Sequence, residues 1–398
     1  MEENKLHNFE LSEFFRDNWQ KKPLFIKKAV KFAQAPISPD DLASLALEED
    51  LTSRVVKKVT NETTSYQLEH GPFTETSFQK FGESNWMLLV QEVDQWVDEV
   101  SKLRDLFTMI PDWRVDDCMV SYSTDGGTVG PHMDQYDVFL VQGAGVKIWR
   151  IENKKREIYE NEGEHILDNP DLKILRNFRE STEFKMEEGD MLYIPSGHAH
   201  HGVSVGESVT YSIGLTMPSI KEMLVDYFEG ILENVHDDLR LGDSNAVYGG
   251  RRGEIPSNVW KNFENWPKRL PSLDKSMLTW FGPIITRGQR NQFEPMESLT
   301  EEQFEVISKQ LLENLEEDLP LYKNSASRCA YFIDEDEILF FMNGERFKLS
   351  LEYLDFVIML SEESVYESSK LLSFLKIPNF NYFILGLLFN EYILFDER

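Results

Sequence analysis

The residue types best suited to chemistry lie in the stretch 129–140, VGPHMDQYDVFL. His132 and Asp134 are two apart, and alternate residues of a strand share a face, so an imidazole and a carboxylate point the same way. A second cluster, His198, His200 and His201, follows the GDMLYIP segment at 189–195 in a chain holding only 8 histidines. Two neutral nitrogens and one carboxylate on one face of a metal are the donor set of a mononuclear non-haem iron. The opposite positions stay open for a co-substrate and oxygen, which is an enzyme's arrangement. The spacing alone leaves open which of the three histidines completes the set.

Elements able to hold such a pair surround it. From Cys118 onward the chain reads as short strands with glycine punctuation: 119–123, a DGG turn at 125–127, 138–141, a GAG turn at 143–145, and 146–151. Residues 184–186, an EGD turn at 188–190, 191–194 and 208–215 continue the series. This pattern predicts a sandwich or jelly-roll barrel, and a barrel mouth suits a metal. Upstream, Phe14, Phe15 and Trp19 recur at helical spacing, 22–26 reads as an entering strand, and Ser38-Pro39-Asp40-Asp41 opens a capped helix. Leu42, Leu45 and Leu47 are its core positions, 86–90 is a buried strand, and 93–106 returns to helical period.

Composition narrows the class. At 398 residues two or three domains are expected, and 41% apolar residues suffice for sizeable cores. A net charge of -29, from 41 Lys+Arg against 70 Asp+Glu, repels nucleic acid and anionic lipid and favours a basic partner. Cys118 and Cys329 are the only cysteines, so neither a disulfide framework nor a cysteine metal cluster is expected, and a reducing cytoplasm is the simplest home. The segment 1–5 lacks the features of a signal peptide and no run of about 18 apolar residues occurs, which argues against secretion and membrane spanning.

Lys147 interrupts the apolar strand between Val146 and Ile148, where a buried ammonium is costly without an anion. The bland alternative is a lysine reaching out from a strand edge.

The stretches GPHMDQYDVFLVQG at 130–143, KIWRI at 147–151 and GDMLYIPSGHAHHG at 189–202 resemble the cupin-type JmjC ribosomal oxygenases. The bacterial branch, arginine hydroxylases of large-subunit ribosomal protein sixteen, is the most similar, and WQKKPL at 19–24 and WMLLVQ at 86–91 fit it too. The resemblance spans essentially the whole chain. It implies a double-stranded β-helix in an α+β chain, Fe(II) held by His132, Asp134 and His200, and 2-oxoglutarate and O2 as co-substrates. His198 and His201 become flanking residues. Lys147 falls where the family has a cation, often arginine in this branch, that pairs with the distal carboxylate of 2-oxoglutarate. Lysine would hold it as a point charge instead of a bidentate fork. Ser123 is the leading hydroxyl to complete that pocket, with Thr210 and Ser212 as alternatives. Asp125 and Asp137 lie near the metal strand, where facing a cationic substrate is the functional reading, but each reads first as a turn cap or a solvated acid.

Past residue 217 the barrel pattern ends. Ile220, Met223, Leu224, Tyr227, Phe228, Ile231, Leu232 and Val235 form one broad helix face, a polar glycine-rich loop spans 242–253, and a helix begins at 255–260. The resemblance makes 218–297 a helical dimerisation region after a 1–217 catalytic domain. In 298–398, helices alternate with strand pairs, which suggests a winged helix, as in the family. Its 8 Lys+Arg against 20 Asp+Glu (8 − 20 = −12) suit a protein contact better than nucleic acid.

The expected activity is therefore Fe(II)- and 2-oxoglutarate-dependent hydroxylation of a basic ribosomal protein, at an arginine β-carbon, by a cytoplasmic homodimer. The rivals are a histidyl hydroxylase of another ribosomal protein and a non-enzymatic cupin acting as an acidic assembly factor.

Overall fold

The computed structural model describes residues 5–60, 64–156, 165–169, 172–232, 278–287, 293 and 296–396. It divides into two compact units, 1–217 and 218–398.

The first unit is built on β1 (Leu24–Ile26), β2 (Ser53–Thr60), β3 (Thr64–His70), β4 (Trp86–Val90), β5 (Val115–Ser123) and β6 (Asp137–Glu152). After these come β7 (His165–Asn169), β8 (Leu172–Leu175), β9 (Ser181–Glu187), β10 (Met191–Ile194) and β11 (His200–Leu215). Nine of these strands form one antiparallel sheet in the order β1-β10-β6-β11-β5-β4-β2-β3, with β9 also on β6; β7 and β8 pair with each other.

The expected GAG turn is instead a bend inside β6. Gly145 has φ +67°, and a Cβ there would lie 2.0 Å from the Glu207 carbonyl oxygen, so only glycine lets the strand pass. Around that bend β6 changes partner: 138–141 pair with β10 and 146–152 with β9. β11 follows β6 along its length, shifting register near residue 206, while 208–215 also pair with β5. Two bent 16-residue strands that each change neighbours curl the sheet into the cupin-type arrangement.

Helices cover one face. Ser38 caps Pro39–Leu45 by accepting from the Asp41 N–H at 3.1 Å, as its residue types require, and Leu42 is buried. Trp86–Val90 is buried throughout, as a continuous apolar run predicts. The 93–106 segment is a 3-10 turn, Val93–Gln95, leading into the α-helix Asp98–Arg104. The main core gathers Phe14, Phe107, Phe139, Tyr193, Tyr211 and the inward faces of β4, β5 and β11.

The second unit begins with the helix Ile220–Leu232; the 242–253 loop and the 255–260 helix fall outside the described residues. A helix, Leu278–Arg287, follows, then Glu301–Glu316 with a Thr300–Gln303 capping box. Two three-stranded sheets come next, one from β13 (Cys329–Asp334), β14 (Glu337–Met342) and β15 (Glu345–Ser350). The other sets β12 (Leu321–Lys323) between β16 (Val365–Tyr366) and β17 (Ile393–Leu394). Helices Leu354–Glu362, Ser368–Phe374 and Phe380–Phe389 close a core containing Phe340, Phe356, Phe380 and Leu385. Among the described residues no helix is long and apolar enough to cross a membrane.

Candidate metal centre

His132 and His200 meet as reciprocal backbone partners: His132 N–H donates to the His200 carbonyl at 3.0 Å and His200 N–H to that of His132 at 2.8 Å. This isolated bridge brings together two residues 68 positions apart in sequence and sets their rings 4.2 Å apart between centroids. Asp134 is fixed by the Gly197 N–H on its carbonyl at 2.9 Å, and its Oδ2 lies 3.4 Å from His200 Nε2 and 3.9 Å from His132 Nε2. One donor atom from each of the three lies within 4.8 Å of the others, the distance a shared ion requires.

The tautomers suit a metal. His132 Nδ1 donates to the Gly130 carbonyl and His200 Nδ1 to that of His198, each at 3.0 Å. Both Nε2 lone pairs are thereby presented inward. Gly130 can aim its carbonyl this way because φ is +84° and a Cβ would lie 2.9 Å from the Tyr66 ring. Burial, reinforced by His200, pulls the His132 pKa down to about 4, so the ring is a neutral donor at pH 7. Burial raises the Asp134 pKa, but His132 and His200 overcome it and hold the carboxylate at about 2. A neutral nitrogen from His132 and the Asp134 anion are thus in place, with His200 Nε2 beside them.

His198 and His201 stand apart. His198 is buried with Nδ1 3.2 Å from the Glu152 carbonyl, and His201 alternates to the other face of β11, its ring 6.1 Å from Phe178.

Lys147 is 1% exposed, and its Nζ meets the Met87 thioether at 3.9 Å and the Trp149 ring at 5.2 Å. Among the described residues no carboxylate pairs with it, and burial lowers its pKa to about 7. A buried ammonium facing a thioether and an indole is built for an anion that arrives from outside. Ser123 is the cross-strand partner of Met87, fully buried, and its Oγ has no hydrogen-bond partner among the described residues. Thr210 differs: its hydroxyl donates to Gln142 Oε1 at 3.2 Å. Ser212 is buried on β11, opposite Met119 and Leu140. The orphaned Ser123 hydroxyl and the Lys147 cation fit a carboxylate ligand.

Asp125 accepts from the Gly206 N–H at 2.7 Å, a turn cap as expected. Asp137 is neither a cap nor solvated. It is 2% exposed, accepts from Tyr193 Oη at 2.8 Å and from Gln20 and Ser196, and pairs with Arg114 at 3.3 Å. Its place at the start of β6 is structural, because four donors from three segments converge on it.

Sequence reasoning passed over Trp149, Met87, Asp117 and Tyr136. Alternation along β5 supplies the signal for Asp117: Cys118, Val120 and Tyr122 pack into the main core, so Asp117, Met119, Ser121 and Ser123 share the opposite face. Burial, with Asp116 and Asp94 adding to it, pushes the Asp117 pKa up to about 7. Tyr136, 39% exposed, lies within the field of Asp134, Asp117 and Asp116, which together with burial raises its pKa.

A family model described as JmjC domain matches residues 102–223. Fold and site define a JmjC-domain protein of the cupin type. The ribosomal protein uL16 3-hydroxylase of Escherichia coli (strain K12) is 32% identical over 277 residues, 70% of this chain and 71% of that protein. A probable ribosomal oxygenase of Haemophilus influenzae is 35% identical over 58% of this chain and 55% of its own. The structure of YcfD, a ribosomal oxygenase from Escherichia coli, in complex with cobalt and 2-oxoglutarate, superposes with a TM-score of 0.78 at 26% identity, covering 99% of both chains. The chain belongs to the JmjC ribosomal oxygenases.

Proposed function

We propose that this chain is an Fe(II)- and 2-oxoglutarate-dependent hydroxylase of a large-subunit ribosomal protein, acting at the β-carbon of an arginine. The observation that carries the reading is the pairing of a three-donor metal site with a buried, anion-less Lys147 in the same barrel. His132, Asp134 and His200 would hold the iron, and Lys147 with Ser123 would hold the distal carboxylate of 2-oxoglutarate. With O2, the bound iron and 2-oxoglutarate supply oxidative decarboxylation to succinate and carbon dioxide, coupled to insertion of one oxygen into a C–H bond. The chain's own work is placement: two imidazoles and an ionised carboxylate for the metal, and a cation for the co-substrate.

The substrate class rests on similarity and charge. The relative in Escherichia coli is a uL16 3-hydroxylase, and a chain of net charge -29 attracts a basic protein. Asp117, half-buried beside Asp116, gains a partner when a guanidinium enters, and Tyr136 flanks it. The helix Ile220–Leu232 buries no residue and exposes Ile220, Leu224, Val225, Phe228 and Leu232, which supports homodimerisation through 218–297. The 298–398 region reads as a winged-helix-like module for protein contact, and a ribosomal substrate places the enzyme in the cytoplasm without direct nucleic-acid binding.

Mass spectrometry of ribosomal proteins from cells with and without the gene tests the proposal. The expected result is one added oxygen on an arginine of uL16 only when the gene is present. A gain on a histidine of another ribosomal protein would move the activity to the histidyl class. No succinate from the iron-loaded chain with a basic ribosomal peptide would refute the oxygenase reading.

A further inference from the structure

One aromatic side chain touches both halves of the site. The Trp149 ring centroid lies 5.8 Å from that of His200 and 5.2 Å from Lys147 Nζ. Trp149 and Lys147 are two apart on β6 and so share a face of the strand. Across the sheet, Gly202 on β11 is the backbone partner of Trp149. A Cβ at 202 would lie 2.8 Å from Cη2, Cζ2 and Cζ3 of the indole, so the glycine directly after the two histidines makes the space the ring occupies. The ring is 5% exposed, yet its Nε1–H is buried and meets no acceptor among the described residues.

An indole N–H can only donate, and buried donors are almost always paired. The acceptor missing here must therefore come from something that enters the barrel. Any diacid that reaches from the metal triad to Lys147 runs alongside this ring, and it brings carboxylate oxygens with it.

We propose that Trp149 is a positioning residue for the co-substrate, holding the Lys147 ammonium on its ring face and donating its Nε1–H to a carboxylate oxygen of bound 2-oxoglutarate. This rests on the function proposed above. It also assigns Gly202 a part, that of the floor on which the ring lies, and sets a directional donor beside the point charge of the lysine.

The test uses the full chain loaded with cobalt(II), so that binding is read without turnover. Calorimetric titration with 2-oxoglutarate is compared for the wild type, Trp149→Phe and Trp149→Leu, with cobalt affinity and the visible spectrum of the bound cobalt recorded first. Phenylalanine keeps a ring face for Lys147 but has no N–H, so cobalt binding and spectrum stay unchanged while the Kd for 2-oxoglutarate rises about tenfold. Leucine removes the ring face as well, and the Kd rises on the order of a hundredfold. Wild-type 2-oxoglutarate affinity in Trp149→Phe overturns the hydrogen bond, and equal Kd values for the two variants overturn the role of the ring face. Lost cobalt affinity in Trp149→Phe would make the residue a support of the metal triad and overturn its assignment to the co-substrate. A wild-type chain that takes cobalt but not 2-oxoglutarate would overturn the proposed function and this inference together; wild-type binding with an unaffected Trp149→Phe overturns this inference alone.

Discussion

Replacing Lys147 with methionine should strengthen the empty protein and disable the site. The ammonium is 1% exposed with no anion beside it, and its pKa is lowered from 10.5 to about 7 by burial alone. The folded value lies below the unfolded one, so the unfolded chain binds the extra proton between pH 7 and 10.5. The native state is therefore penalised in full below pH 7 and relieved as pH rises through that window. The difference of 3.5 units (10.5 − 7) corresponds to about 5 kcal/mol at 1.36 kcal/mol per unit. Methionine keeps an unbranched stem against Met87 but forfeits the contact with the Trp149 face, about 2 kcal/mol. The net gain of about 3 kcal/mol amounts to a Tm higher by about 6–12 °C at pH 7 for a unit of this size. Calorimetric melting of the metal-free chain checks it. The same variant, loaded with cobalt(II), should bind 2-oxoglutarate at least about tenfold more weakly, because a charge-assisted contact is gone. A variant that melts lower than the wild type and still binds 2-oxoglutarate normally would refute the reasoning, since Lys147 would then be a structural cation with a partner of its own.

The other predictions use neighbouring features. In the wild type, 2-oxoglutarate binding should take up a proton above pH 7, so its Kd should rise about tenfold per pH unit between pH 7 and 9, a slope absent from Lys147→Met. His200→Ala should abolish stoichiometric cobalt(II) binding while His201→Ala retains it, because His200 Nε2 faces Asp134 and the His201 ring lies on the other face of the strand; retained metal in the first case would show the wrong histidine was chosen. Asp137→Ala strips the partner from buried Arg114 and three further donors, and should cost about 3–5 kcal/mol by denaturant unfolding without moving metal affinity in the folded fraction.

Much of the barrel was legible because strand chemistry is local. Short strand-forming runs between glycine turns announced β5, β10 and the second half of β11, the Ser38-Pro39 pair announced its helix, and the unbroken apolar run at 86–90 announced a strand buried on both faces. The GAG segment misled: glycines that usually turn a chain here bend one long strand, because the Glu207 backbone passes too close for any side chain. Only the partner strand decides between those outcomes, and it lies some sixty residues further along the chain.

For the site, the sequence alone determined the donor types, the His132-x-Asp134 face and the oddity of a lysine in an apolar strand, since each follows from residue chemistry and the period of two. Spacing left His198, His200 and His201 open and the resemblance pointed to His200; the physical reason for that choice is the backbone bridge to His132, a contact between strands remote in sequence. Ser123 separated from Thr210 only when Gln142 was seen to satisfy the threonine. Asp137 left the surface for a buried ion pair, and Trp149 came to lie beside His200 and Lys147, for the same reason. Whether a polar group is satisfied depends on what the other strands bring to it, and that is a property of the assembled sheet rather than of any one segment.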